Sequence, residues 1–584
     1  MNEQFSPNSP SNIMKPAIRI LLSIVSALIV AGSVWVYIRG PFLPMQRDRV
    51  FYNGTILSMD RNNSVHSAIA IEDGLIVARG DYASVVDSVG WTAQVTDLQG
   101  RTIIPGFVDA HGHFPATGLM AVAANLYNVP DGPIRTMADL IAGLKERAED
   151  PKPDGVVFGF GYDDTSMAEL RHPTRHDLDQ VSTDLPVLAK HSSGHITAVN
   201  SRALELMGID ADTPDPDGGH IERDPVTGEA TGVLFETAGD QADRMLKGIS
   251  LRDSLAVNRL AAAGYISNGV TTAQSGKADH RFVNALARAT RLGIVPLRLV
   301  VWPDEEVSEE IISGSFDVDS LTSDWFTLGA HKLTADGSVQ GYTSYRTEPY
   351  YTPYKGDAQY RGFPRQSREA LAEKVARIYR AGFQVAIHGN ADAAIDDILY
   401  ALERAQRLHP REDARPLIIH AQITRPDQLD KMAELSASPS FFGLHVYYWG
   451  DRHREFFLGP ERAGYISPAR AARDRGLRFT LHNDAPVVSN VSPLFIMWTA
   501  VNRLTSSGRI LGEDQRISVL DALRAVTIDA AWQVFLEATR GSIEVGKYAD
   551  LVVLDKNPLE HPATLKDIQV LETIVDGRSV FSKR

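Results

Sequence analysis

The sequence predicts an α/β protein: a TIM (β/α)8 barrel beside a composite β-sandwich built from the N- and C-terminal segments, preceded by one N-terminal transmembrane helix. Three observations lead there. Short β-branched runs alternate with amphipathic helical stretches through the middle of the chain, both ends carry short alternating strands, and an uncharged apolar run lies near the start.

In chain order, residues 1–19 read as a disordered tail, rich in Ser, Asn and Pro. Residues 20–38 hold no charge and are bracketed by Lys15, Arg19 and Arg39. A run of roughly 20 apolar residues matches the thickness of a bilayer core, so a signal anchor is expected. A cleaved secretory signal ending at Ala31-Gly32-Ser33 is the alternative. Basic residues on the two sides do not decide orientation. A single span before a large domain predicts a membrane-anchored, single-pass protein with an extracytoplasmic (periplasmic) catalytic domain.

Residues 49–104 alternate in short apolar runs, with Glu72-Asp73-Gly74 as the clearest turn. Residues 541–584 repeat that pattern. Neither end is long enough for an independent sheet with a buried face, so the two are expected to pair. Residues 105–540 alternate β and α units, as in Val385-Ala386-Ile387 followed by a helical stretch from Ala391. A barrel needs about 250 residues; the surplus is placed as an insertion at about 114–245.

Composition narrows the function. The chain has 584 residues, 43% hydrophobic and 23% charged, enough for a large core. Net charge is −14 and the isoelectric point about 5.7, which excludes nucleic acid as a natural partner. There are no cysteines. Disulfides, thiolate metal sites and cysteine nucleophiles are therefore excluded.

The chemistry concentrates at strand ends. His111 and His113 close Pro105-Gly106-Phe107-Val108-Asp109-Ala110-His111-Gly112-His113, and period 2 turns both imidazoles to one face. Such a pair is what chelation of a divalent metal requires. His388 follows Val385-Ala386-Ile387, and His420 follows Leu417-Ile418-Ile419. Each sits at the C-terminal end of an expected barrel strand, where catalytic residues collect. Asp484, at the tip of the last strand, is placed to take a proton from an activated water. His482 lies on the same face one layer deeper, either supporting the site or simply packed. His191, His195 and His445 are candidate substrate contacts. The stretch Phe158-Gly159-Phe160-Gly161-Tyr162-Asp163-Asp164 could reach the site, but nothing in its chemistry demands it.

These motifs together resemble the amidohydrolase superfamily, in the branch of YtcJ-like and N-substituted formamide deformylase-like proteins. The likeness rests on the His111 segment, on His191-Ser192-Ser193-Gly194-His195 through Asn200-Ser201-Arg202-Ala203-Leu204, and on Lys332-Leu333-Thr334-Ala335-Asp336. It continues through His388-Gly389-Asn390-Ala391-Asp392, His420-Ala421-Gln422, Asn483-Asp484-Ala485-Pro486-Val487 and Gly546-Lys547-Tyr548-Ala549-Asp550-Leu551. Departures are Asn390-Ala391 before Asp392, and Ile419 where relatives often carry Glu before the histidine.

The resemblance implies a divalent metal, Zn2+ by preference, as one or two ions held by His111, His113, Lys332, His388 and His420, with Asp484 as general acid and base. It further implies that Lys332 can be carboxylated; a simple ion pair with Asp336 is the alternative. Asp392 and His482 are expected to support the ligands, and His331 to point out of the barrel. The implied reaction is hydrolysis of a non-peptide carbon–nitrogen bond in a small amide-like substrate, an N-acyl or N-formyl amine. A catalytically silent membrane-tethered protein, or an ester or lactone hydrolase, are the rival readings. A homo-oligomer is compatible with the sequence.

Overall fold

The structure, a computed structural model, describes residues 48–151, 155–246 and 249–583, together with Ile20, Ile24 and Val25. The span expected at 20–38 falls outside the described residues except at those three positions. Among the described residues no helix is long and apolar enough to cross a membrane. The membrane-anchored, extracytoplasmic placement is corrected accordingly.

The two ends of the chain build one sheet of eight strands. Arg49–Leu57 pairs with Val65–Glu72, Gln94–Asp97 and Thr102–Pro105, and Leu551–Leu554 runs antiparallel to Thr102–Pro105 with Val552 opposite Ile104. Val570–Val575 and Arg578–Ser582 extend the far edge. The hairpin turn after Glu72 has Asp73 at φ 50° and Gly74 at φ 82°, the left-handed pair that a tight hairpin with right-twisted strands needs. Phe51, Ile69 and Ile103 from the first segment share a core with Ile543, Leu551 and Val553 from the last.

The middle of the chain supplies parallel strands: β1 (Phe107–Val108), β2 (Val270–Ala278), β3 (Arg298–Pro303), β4 (Phe326–Leu328), β5 (His331–Thr334), β6 (Val385–Gly389), β7 (Leu417–His420), β8 (Ser438–Phe442) and β9 (Thr480–His482). They form a four-stranded sheet, β4-β3-β2-β1, and a five-stranded sheet, β5-β6-β7-β8-β9. No ladder closes the strands into one ring among the described residues. Instead β4 and β5 are separated by Gly329 and Ala330, and β9 meets β1 only beyond their ends, where His113 N–H donates to Ala485 O at 2.7 Å.

Helices alternate with these strands because apolar residues recur on one face. In Asp392–Leu408, Ile395, Ile398, Leu399, Leu402 and Ala405 are buried, the spacing of a single helical stripe. Strand interiors such as Leu417, Ile418 and Ile419 are buried on both faces, as parallel sheets covered by helices require.

Between β1 and β2 lies a separate six-stranded sheet drawn from residues 124–236. Its strand Val157–Tyr162 alternates between two cores: Phe158 and Phe160 pack to one side, Val157 and Tyr162 to the other.

Candidate active site

The C-terminal ends of the parallel strands deliver a cluster of histidines around one carboxylate. Asp484 Oδ1 lies 3.4 Å from His111 Nε2 and 3.3 Å from His113 Nε2, and its Oδ2 lies 3.8 Å from His420 Nδ1. His420 Nε2 is 3.0 Å from His388 Nδ1, and Lys332 Nζ is 3.3 Å from His111 Nε2. The six residues expected to carry the chemistry therefore meet in one place. Donor atoms of His111, His420 and Asp484 all lie within 4.8 Å of one another. His111, Lys332, His388, His420 and Asp484 are buried, whereas His113 keeps 35% of its side chain exposed and faces the opening.

The donor set fits a divalent cation on two grounds. Imidazole nitrogen and carboxylate oxygen are the ligands such an ion takes when no thiolate is present. In addition, His420 Nδ1, Asp484 Oδ1 and both ring nitrogens of His482 are buried without a hydrogen-bond partner, a cost that a cation at the centre of the cluster would relieve for the donors facing it.

The backbone is strained where it presents these groups. His420 has φ 75°, Ala421 φ 43° and Asp484 φ 54°, a left-handed conformation that costs non-glycine residues roughly 1–3 kcal/mol each. Extended strands would carry His420 and Asp484 past the cluster; the left-handed turn swings them into it.

A model of the Amidohydrolase family matches residues 94–581. The chain belongs to the amidohydrolase family. An N-substituted formamide deformylase from Arthrobacter pascens is 30% identical over 553 residues, spanning 92% of this chain and 98% of its own. The YtcJ amidohydrolase of Bacillus subtilis is 28% identical, spanning 91% of this chain and 99% of its own. An uncharacterized metal-dependent hydrolase from Pyrococcus horikoshii shares the fold, with a TM-score of 0.70 at 24% identity over 88% of this chain and 98% of that one. This amidohydrolase is accordingly a metal-dependent hydrolase of carbon–nitrogen bonds.

Electrostatics in the amidohydrolase site favour ligation. Burial, then the Lys332 charge and neighbouring histidines, holds His111 well below its ordinary value. Burial and neighbouring cations do the same to His388 and His420. Burial takes His482 down to about 4. All four are neutral at physiological pH, the form that binds metal. Burial would raise Asp484, but the His113 imidazole 3.3 Å from its Oδ1 and the nearby Lys332 outweigh it and hold the carboxyl below its ordinary value, so it is ionised. Burial brings the Lys332 amine down to about 7 against the pull of Asp484.

The remaining expected residues divide. His195 is brought in: its Nδ1 sits 2.8 Å from Glu236 Oε2, and its ring centre is 5.0 Å from that of His388. His482 is also in place, with its ring 5.2 Å from His111 and 5.1 Å from His420. His191 is not; it joins Asp163 and Asp164 in the inserted sheet. His445 turns away into packing, 2.7 Å from His453 Nε2 and stacked on Trp449. Asp392 accepts from Thr347 N–H at 3.0 Å and from the Thr347 hydroxyl instead of supporting His388. That support comes from Asn390, whose Nδ2 is 3.0 Å from His388 Nε2, and from the Gly337 carbonyl at 3.3 Å. Asp336 accepts the backbone N–H groups of Asn390 and Tyr345, fixing the turn after His388. His331 is buried and stacked on Phe383.

Four contributors escape sequence reasoning. Gln274 Oε1 lies 3.1 Å from His111 Nδ1, and Trp302 stacks against the His111 ring at 5.3 Å. Glu236 orients His195, and Arg365 holds Glu236 at 2.8 Å. Trp302 and Glu236 sit in the C-terminal halves of their strands, the one signal that could have marked them, whereas Gln274 stands at the midpoint of β2.

Proposed function

We propose that the chain hydrolyses the C–N bond of an N-acyl or N-formyl amine at a divalent-metal centre, Zn2+ by preference, with His111, His113, Lys332, His388 and His420 as ligands of one or two ions. The observation that carries this is the position of Asp484: its two oxygens reach the histidines of β1's extension and of β7 at once. The 30% identity to an N-substituted formamide deformylase over nearly the whole chain supports the choice of bond.

A bound cation supplies an acidified water and an electrophile for the scissile carbonyl. Asp484, ionised and at hydrogen-bonding range of His113, takes the proton of the attacking water and returns it to the leaving nitrogen. One water is consumed; a carboxylic acid and an amine leave. Lys332, as its neutral amine, is proposed to react with CO2: its nitrogen bonds the carbon, one N–H proton goes to solvent, and the neutral amine becomes an anionic carbamate whose oxygens can ligate a cation. The drop of its amine to about 7 leaves free base available for that step.

The two parallel sheets are read as one (β/α)8 barrel in which β4 and β5 are a single interrupted strand. In this reading residues 105–540 form the barrel domain with its insertion at about 114–245, and residues 49–104 and 541–584 form the flanking β-domain.

The test uses the purified chain, its metal content, and a panel of N-substituted formamides, longer N-acyl amines and esters. Asp484→Asn is expected to lower turnover on amides by about 10²–10⁴-fold, and His111→Ala to lower bound metal as well. Unchanged turnover in both variants would sink the reading; faster esters than amides would move the substrate class.

A further inference from the structure

We infer that His195 reads the N–H of the substrate amide. Its Nε2 accepts that hydrogen bond, so the site selects amides that keep a hydrogen on nitrogen over N,N-disubstituted amides and esters. The inference rests on the amide reading above and names the substrate class within it.

The fold fixes His195 firmly. The turn between the strands Val187–His191 and Ile196–Val199 of the inserted sheet carries it, and Glu236 closes the neighbouring strand Ala230–Glu236. Glu236 N–H donates to His195 O at 2.7 Å, and Glu236 Oε2 lies 2.8 Å from His195 Nδ1. Backbone and side chain therefore join the same two residues. Glu236 sits at φ 53° with its side chain wholly buried, a conformation that a non-glycine residue keeps only where its surroundings enforce it.

The partner decides which way the imidazole works. A carboxylate only accepts, so Nδ1 donates and carries a proton. Arg365, 2.8 Å from the same oxygen, already meets the charge of Glu236. Around the pair three cations, Arg365, Lys190 and Lys277, face three carboxylates, Glu236, Asp240 and Asp243. No negative charge is left over to hold a second proton on His195 beside a cluster that takes a divalent cation. The ring is thus the neutral Nδ1–H tautomer, and Nε2 offers a lone pair. A lone pair cannot donate to a carbonyl oxygen, but it can accept from an amide N–H.

Position puts that lone pair at the edge of the reaction centre. The His195 ring lies 5.0 Å from the His388 ring, and 15% of its side chain stays exposed, so a substrate at the cluster can reach it. His388, His420 and Asp484 have other tasks in the reading above, and the Gly337 carbonyl accepts from Asn390 at 2.8 Å. When water adds to the carbonyl carbon, the nitrogen becomes tetrahedral and gains a lone pair. With its N–H held by His195, that lone pair is left for the proton returned by Asp484. His195 itself neither gains nor loses a proton. An ester or an N,N-disubstituted amide offers nothing to Nε2 and leaves it unpaired.

The purified full-length protein is assayed on N-butylformamide, N-butyl-N-methylformamide and butyl formate. The wild type should favour N-butylformamide over its N-methyl derivative by at least about 10-fold in kcat/KM. Where the methylated amide binds without being cleaved, its inhibition constant supplies the comparison. In His195→Asn the side-chain amide can still donate to Glu236, but no acceptor remains at the Nε2 position. This variant should lose about 10–100-fold on N-butylformamide and no more than about 3-fold on the other two compounds, with bound metal unchanged. His195→Ala should show the same pattern. Equal losses on all three compounds, unchanged turnover of N-butylformamide, or a wild type indifferent to N-methylation would overturn the inference. Asp484→Asn separates it from the catalytic reading: that variant should depress all three compounds, and only its failure to do so removes the catalytic assignment.

Discussion

Gln274 shows how one neutral side chain sets the chemistry of another. Its Oε1 accepts the Gly112 N–H at 2.9 Å, so that atom is the carbonyl oxygen, and it faces His111 Nδ1 at 3.1 Å. Nδ1 must then carry the proton, and the Nε2 lone pair is left toward Asp484 and Lys332 as a ligand. Gln274→Ala should lower metal affinity by about 10–100-fold, read by competition with a chelator, while the fold survives. Equal affinity would mean that packing against Trp302 alone orients the ring. At this scale the sequence was generous: His111, His113, His388, His420 and Asp484 could be named because each stands at or just past the end of a short strand-like run. His191, His445 and Asp392 misled because a histidine or carboxylate beside a strand end looks the same whether it faces a pocket or a core.

At the scale of elements, β2 matters for what it lacks. A Cβ on Gly276 would stand 2.2 Å from His111 Cε1, so the strand can lie beneath the imidazole only with glycine there. Gly276→Ala is expected to push His111 out of line and to cost about 100-fold in turnover, the scale of a displacement near 1 Å; a crystal structure of the variant would show the shift. Activity within a few-fold of wild type would mean that the strand yields instead. The ring above Gly276 arrives from beyond β1 across a non-local pairing that local sequence does not encode. Likewise Glu236, at φ 53°, is fixed by the inserted sheet and reads in isolation as an ordinary strand-end carboxylate.

Across the whole molecule, a buried ion pair joins the parallel strands to the terminal sheet. Arg298 at the start of β3 donates to Asp550 Oδ2 at 2.8 Å, both residues almost fully buried. Asp550→Ala removes the nearer carboxylate from a buried guanidinium, leaving it Asp576 Oδ1 at 3.8 Å and the Asp324 carbonyl, and should destabilise the protein by about 3 kcal/mol, read by denaturant unfolding. The motif around Asp550 was legible in the sequence; its partner lies 252 residues away and was not. Stability should also depend on pH. Burial holds His111, His388, His420 and His482, and also His172, His331, His445 and His453, below their ordinary value, His331 and His482 at about 4. Between about pH 4 and 6.5 the unfolded chain binds protons that these groups refuse, so their contribution is complete above 6.5 and is lost as pH falls. Buried carboxyls pushed up, such as Asp109 to about 7, Asp529 to about 6 and Asp336, act in the opposite sense but are fewer. Metal-free protein should therefore melt earlier as pH is lowered from 6.5 toward 5, and a flat or rising profile would contradict this.

The sequence alone pointed to a divalent-metal site and to an alternating β/α middle, because hydrophobic period and strand-end residues are local properties written along the chain, while its motifs carried the resemblance to the family. Tertiary structure decided which histidines meet, which carboxylate they meet around, and what supports them. Those choices depend on contacts between segments hundreds of residues apart and on left-handed turns at His420 and Asp484, which the packing around them enforces.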